Sequence, residues 1–108
     1  MAVILQIDFT MPAEMLGENL TEAARGLAES INQEPGFMSK IWTENTATGE
    51  AGGIYHFADR ASAQAYMEMH VKRVEAMGAK NIRGRIFDIN ETLTAINYGQ
   101  TGKGQTGH

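Results

Sequence analysis

Two periods of hydrophobicity take turns along this chain, and their order restricts the fold more than any single motif does. Val3, Leu5, Ile7 and Phe9 alternate with Ile4, Gln6 and Asp8, the two-residue period of a strand with one apolar and one mixed face. Pro12 then suits the first turn of a helix and Glu14 the positive end of its dipole. Leu16, Leu20, Ala24, Leu27 and Ile31 recur at helical spacing, up to the break at Pro35-Gly36. Alternation returns over residues 37–44, which places Met38, Lys40, Trp42 and Glu44 on one side and Phe37, Ser39, Ile41 and Thr43 on the other. The segment NTATGE supplies turn formers and AGGIYHF resumes β character, so the two runs read as a hairpin.

Asp59 is placed to cap a second helix with an inward stripe of Ala63, Tyr66, Met67, His70, Val74 and Met77, stopped by Gly78. NIRGRIFDI gives a fourth strand, with Arg83, Arg85 and Phe87 on one side, and ETLTAI a short terminal helix. The order β-α-β-β-α-β predicts an α+β, ferredoxin-like sandwich over residues 1–98, with both helices on one face of an antiparallel sheet. Residues 99–108 have no apolar anchor and read as a flexible tail, in which His108 is not a ligand. The other sheet face, carrying Ile4, Gln6, Lys40 and Glu44 or their opposite sets, lacks a covering element within the chain. At 108 residues, a single core buries about two thirds of the unfolded surface, so a second copy is expected to cover that face in a homodimer.

Composition removes several function classes. A net charge of −4 gives no broad positive field, so nucleic acid is not an expected partner. Without cysteine there are no disulfides, thiolate chemistry or cysteine-bound metal clusters, and the default compartment is the cytoplasm. MAVILQIDF has no basic lead and meets Gln6 and Asp8 early, which fits a strand better than a signal or a membrane span. The glycines of GEAGG make no dinucleotide fingerprint, no P-loop occurs, and His56, His70 and His108 lack metal-ligand spacing. No cofactor and no metal are expected.

The remaining candidates each carry an ordinary reading beside a functional one. His70 has an unperturbed pKa near neutrality and sits within an apolar helix stripe, so it is either a satisfied core histidine or a proton handler. Trp42, the single tryptophan, is core, dimer contact or pocket wall. Tyr55 and His56 point to opposite faces, and Tyr55 is the one expected in a helix-side pocket with Tyr66, leaving His56 to the dimer face or rim. Arg83, Arg85 and Arg73 read as solvated or salt-bridged charges, and Lys40 with Glu44 as a pair along one strand.

LAESINQEPGF, the Trp-Thr-Glu of residues 42–44, EAGGIYHF and the AYMEMH that leads to His70 together resemble the YdhR-like mono-oxygenase family, over about residues 1–97. That family is similar in fold to the antibiotic-biosynthesis mono-oxygenases, dimeric α+β barrels with a pocket in each protomer between helices and sheet. The resemblance implies cofactor-independent mono-oxygenation of a small aromatic, quinol or polyphenol-like molecule. His70 would be general base or relay, Trp42 and Tyr55 would hold the ring with Tyr66 beside them, and Gln6 would bond an oxygen. Two alternatives use the same scaffold: a non-enzymic binder of hydrophobic small molecules, and an isomerase or haem-handling protein with His70 as ligand. The Asn-Trp-His trio of the haem-degrading relatives is not plainly present, since Gln6 or Asp8 stands near its first position.

Overall fold

The computed structural model describes residues 2–99. Its elements run β1 (Val3–Thr10), a 3-10 turn (Ala13–Met15), α1 (Glu18–Ile31), β2 (Phe37–Asn45), β3 (Glu50–Phe57), α2 (Arg60–Ala76), β4 (Lys80–Asp88) and α3 (Glu91–Ile96). The sheet is antiparallel in the order β2-β3-β1-β4, the ferredoxin-like arrangement that the period order predicts. The expected tail, His108 included, lies outside the described residues from position 100 onward.

Strand alternation sorts the sheet into two faces. Val3, Leu5 and Ile7 pair with Phe57, Tyr55 and Gly53, and with Ala63, Tyr66 and Ile31 they form the buried core beneath the helices. Full burial of each large apolar side chain in that layer contributes roughly 1.5–3 kcal/mol. Phe57, Tyr55 and Tyr66 add aromatic contacts, with ring centroids 5.2 to 6.3 Å apart. The opposite face carries Ile4, Gln6 and Asp8, which pair with His56, Ile54 and Gly52 on one side and with Phe87, Arg85 and Arg83 on the other.

Two local departures from strict period move residues from where alternation alone puts them. Gly17 takes a positive φ of 66°, so α1 starts at Glu18 and Pro12 and Glu14 belong to the preceding 3-10 turn rather than to the helix. Leu16, expected in the helix stripe, is buried ahead of the helix in a second apolar cluster with Met11, Ala51, Val74 and Ala79. On β2 the register shifts between Phe37 and Ser39. Phe37 pairs with Phe57, Ser39 with His56 and Lys40 with Tyr55, so two residues of β2 face one of β3. The bulge turns Phe37 to the helix side, the same side as Lys40, Trp42 and Glu44, against the simple alternation. Gln6 and Lys40 consequently occupy opposite faces.

The second helix follows its sequence signals closely. Asp59 caps it by accepting from the Ser62 amide at 2.8 Å, and Ala63, Tyr66, His70 and Val74 are buried along one stripe. Met77 falls at the C-cap and is half exposed, because the helix ends one residue earlier. Among the described residues no helix is long and apolar enough to cross a membrane.

Candidate active site

The site is built where α1, α2 and β2 meet. Leu20, Ala24 and Leu27 of α1, Val74 of α2, and Phe9 and Ala51 of the sheet enclose an apolar cavity of about 50 Å³, with Lys40, Trp42 and His70 also on its wall. That volume admits a few water molecules and no aromatic ring. Trp42, 37% exposed, also borders two open clefts of about 240 and 280 Å³ along the α1–β2 edge, the first sharing Leu20 and Ala24 with the cavity and the second sharing Lys40.

His70 is 3% exposed and its ring stacks on Tyr66 with centroids 5.1 Å apart and planes 20° from parallel. Arg73, one helical turn on, donates to Nδ1 of His70 from Nε at 3.2 Å and from Nη2 at 2.9 Å, and from Nη2 to the Tyr66 hydroxyl at 3.3 Å. A guanidinium can only donate, so Nδ1 accepts and the ring proton of neutral His70 lies on Nε2. Burial, then the charge of Arg73, then that of Lys40, hold the His70 pKa down to about 3. The sequence expectation of a histidine titrating near neutrality is corrected by that environment.

Lys40 reaches inward because it lies opposite Tyr55 of β3, whose side chain is on the helix side of the sheet. Its Nζ lies 3.3 Å from the centre of the Trp42 ring and 4.4 Å from that of Tyr55. Its stem fills the space left at Gly53, where a Cβ would come within 2.5 Å of Lys40 Cε and 3.1 Å of the Tyr55 ring. The room expected at the glycine pair is thus occupied by a lysine. Gly52 answers to a different constraint, since a Cβ there would collide with the Ile7 carbonyl oxygen of β1. Burial and then Arg73 push the Lys40 pKa down to about 7, against the attraction of the two ring faces for an ammonium.

Lys40 does not pair with Glu44, whose Oε1 instead accepts from the Gly17 amide at 2.6 Å at the start of α1. Arg73 likewise departs from the solvated reading, being engaged with His70 and Tyr66. Sequence reasoning passed over both residues because charge on an element ordinarily marks its wet face; a cue for Lys40 was its place in a run with Trp42 opposite a glycine pair.

Tyr55, 1% exposed, is not on the cavity wall and lies in the core beneath Lys40, where burial first and its neighbour Tyr66 second push its pKa up. Tyr66 backs His70 rather than lining the cavity, and burial raises its pKa as well. Gln6 is the misplaced residue: strand alternation sends its side chain to the other face of the sheet, between Ile54 and Arg85, away from the cavity. On that face Arg83 is tied to Asp8 at 2.7 Å and to Glu50 at 3.6 Å, a surface ion-pair set. His56 is there too, 3% exposed, with neither ring nitrogen hydrogen-bonded among the described residues.

The family model of the putative mono-oxygenase ydhR matches residues 4–100. No curated protein matches the chain in sequence. Among solved structures, a putative antibiotic biosynthesis monooxygenase from Deinococcus radiodurans superposes with a TM-score of 0.61 at 13% identity, over 82% of this chain and 92% of that one. The heme-degrader MhuD from Mycobacterium tuberculosis, with two hemes bound in its active site, gives 0.58 at 16% identity, over 81% and 95%. At such identities the two structures bear on the fold alone.

Proposed function

The chain belongs to the family of the putative mono-oxygenase ydhR, and on that premise we propose that it oxygenates a small aromatic, quinol or polyphenol-like compound without a cofactor. One observation carries this reading: the cavity is apolar except for Lys40 and His70, and the cationic Arg73 stands directly behind His70. Dioxygen in its triplet ground state reacts slowly with closed-shell molecules, and an electron-rich ring anion can reduce it directly. The protein's part is then to generate and hold that anion in a dry site. Overall a ring CH2, drawn as its phenol tautomer, and O2 give a ring carbonyl and water, the substrate supplying all four electrons.

His70 serves as a relay or hydrogen-bond donor through Nε2, in place of the general base expected from sequence. Trp42 holds the ring, with Tyr55 beneath Lys40 and Tyr66 supporting His70. Substrate enters by displacement of Trp42, which joins the cavity to the clefts beside it. The open sheet face, with Ile41 66% exposed and Phe87 44%, packs against a second copy in a homodimer.

Haem does not fit these residues. With Arg73 donating to Nδ1, the nitrogen of His70 left to meet an iron is the protonated one, and no step through haem is drawn. Oxygen uptake by the purified, metal-stripped protein with a panel of quinols and polyphenols tests the proposal. Uptake matched by carbonyl product supports it. Tight binding across the panel without uptake makes the protein a binder of hydrophobic molecules instead.

A further inference from the structure

We propose that Lys40 is the catalytic base of this cavity: its amine takes the proton of an acidic aromatic or enolic hydroxyl and, as ammonium, holds the anion that results. The reaction context rests on the mono-oxygenase reading; the acid–base assignment stands on geometry that does not depend on it.

Of the nitrogen bases on the cavity wall, His70 has neither lone pair to offer. Nδ1 accepts from Arg73, and Nε2 carries the proton. Lys40 alone retains one when neutral. The groups that face it are Arg73 and His70 from α2, Tyr55 from β3 and Trp42 on its own strand, while α1 and β1 present leucine, alanine and phenylalanine to the cavity. No carboxylate makes an ion pair with Lys40 among the described residues, and Glu44, the acid on its own strand, is turned to Gly17.

Lys40 is half-buried, and a cation partly withdrawn from water beside another cation and without an acidic partner loses its proton readily and, once protonated, favours an anion within reach. Burial and Arg73 bring Lys40 to about pH 7, where amine and ammonium coexist. In the step itself the lone pair of Nζ takes the hydroxyl proton, the O–H bond breaks with its electron pair left on oxygen, and no oxidant is needed. The ligand class is therefore a flat apolar molecule with one hydroxyl that ionises near neutrality. A neutral ring without such a hydroxyl would leave the ammonium unpaired in the site.

The test uses 4-nitrophenol under anaerobic conditions, because its phenol and phenolate absorb differently and no oxygenation intervenes. At a pH below the probe's own midpoint, wild-type protein should convert bound probe to phenolate. Lys40→Met should abolish that conversion and weaken binding at least tenfold, with the fold confirmed by circular dichroism. Gly53→Ala keeps the lysine but pushes its stem aside, and should also reduce ionisation. Phenolate formation in Lys40→Met equal to wild type, or no probe bound by wild type, overturns the assignment. Oxygen uptake separates the two readings: a phenolate without uptake removes the mono-oxygenase and leaves Lys40 in place, whereas uptake undiminished in Lys40→Met does the reverse.

Discussion

The guanidinium of Arg73 and the imidazole of His70 meet at 2.9 Å with the arginine donating, which fixes the histidine as a neutral ring whose proton points away from its partner. A histidine so held is poor as a base and good as a donor, and the difference is measurable.

His70→Ala is expected to lower turnover of an oxygenated substrate by about a hundredfold, the scale of one lost donor to a developing oxyanion. His70→Gln, which retains an N–H donor, should keep most of the rate. The pH–rate inflection near 7 should persist in His70→Gln and vanish in Lys40→Met. An inflection that disappears with the histidine returns the base role to His70.

Trp42 reports on Lys40 without any substrate. With Nζ 3.3 Å from the ring, emission from the single tryptophan should titrate with a midpoint near pH 7, and Lys40→Met should flatten the curve. A flat wild-type titration between pH 5 and 9, a range on the order of two units either side of that midpoint, places the lysine charge elsewhere.

Much of the fold is legible in sequence because each element states its period plainly: Val3, Leu5 and Ile7 by twos, Ala63, Tyr66, His70 and Val74 by threes and fours. The site is less so. His70, Tyr55 and Trp42 come together as their strands and helix imply, yet Arg73 and Lys40 complete the arrangement from positions that composition marks as solvent-facing. What brings them in is tertiary: a guanidinium finds the ring one turn back, and the pairing of Lys40 with Tyr55 aims the lysine at the core side of the sheet. Gln6 shows the opposite failure, a polar side chain assigned to the pocket although its own strand's alternation sends it away.

Stability should carry the signature of both low-pKa groups. His70 binds its proton near 6.5 when unfolded and near 3 when folded, so the unfolded state holds more protons between those values and stability falls as pH drops through that window. The loss by pH 4, followed by urea unfolding, is about 3 kcal/mol and should be absent in His70→Gln.

Lys40→Met should stabilise the fold by about 1–4 kcal/mol below pH 7, since it removes an unpaired cation from an apolar site. Folded Lys40 deprotonates near 7 and unfolded Lys40 near 10.5, so the gain should shrink across that interval. Thermal melts at pH 6 and at pH 10, about one unit below and three above the folded value, compare the two regimes. Equal gains at both would mean that the lysine charge never costs the fold anything.

Light scattering at micromolar concentration should give twice the mass of the chain. Ile41→Asp, which sets a charge on the edge strand of the exposed sheet face, should halve it while leaving the circular dichroism spectrum unchanged. A wild-type monomer removes the sheet-to-sheet pairing.

The irregularity between Phe37 and Ser39 gives the pocket a dependence on counting. With Met38 and Ser39 together opposite His56, Phe37 and Lys40 share the helix side although three positions separate them, an odd spacing that a regular ladder sends to opposite faces. Deleting Met38 would make the ladder regular and leave Phe37 opposite Phe57 and Lys40 opposite Tyr55, so the cavity wall would keep its side chains. A related chain without the extra position would present the same inward residues with its phenylalanine and lysine only two positions apart, so alignment by residue identity needs a gap at this spot before any role is transferred.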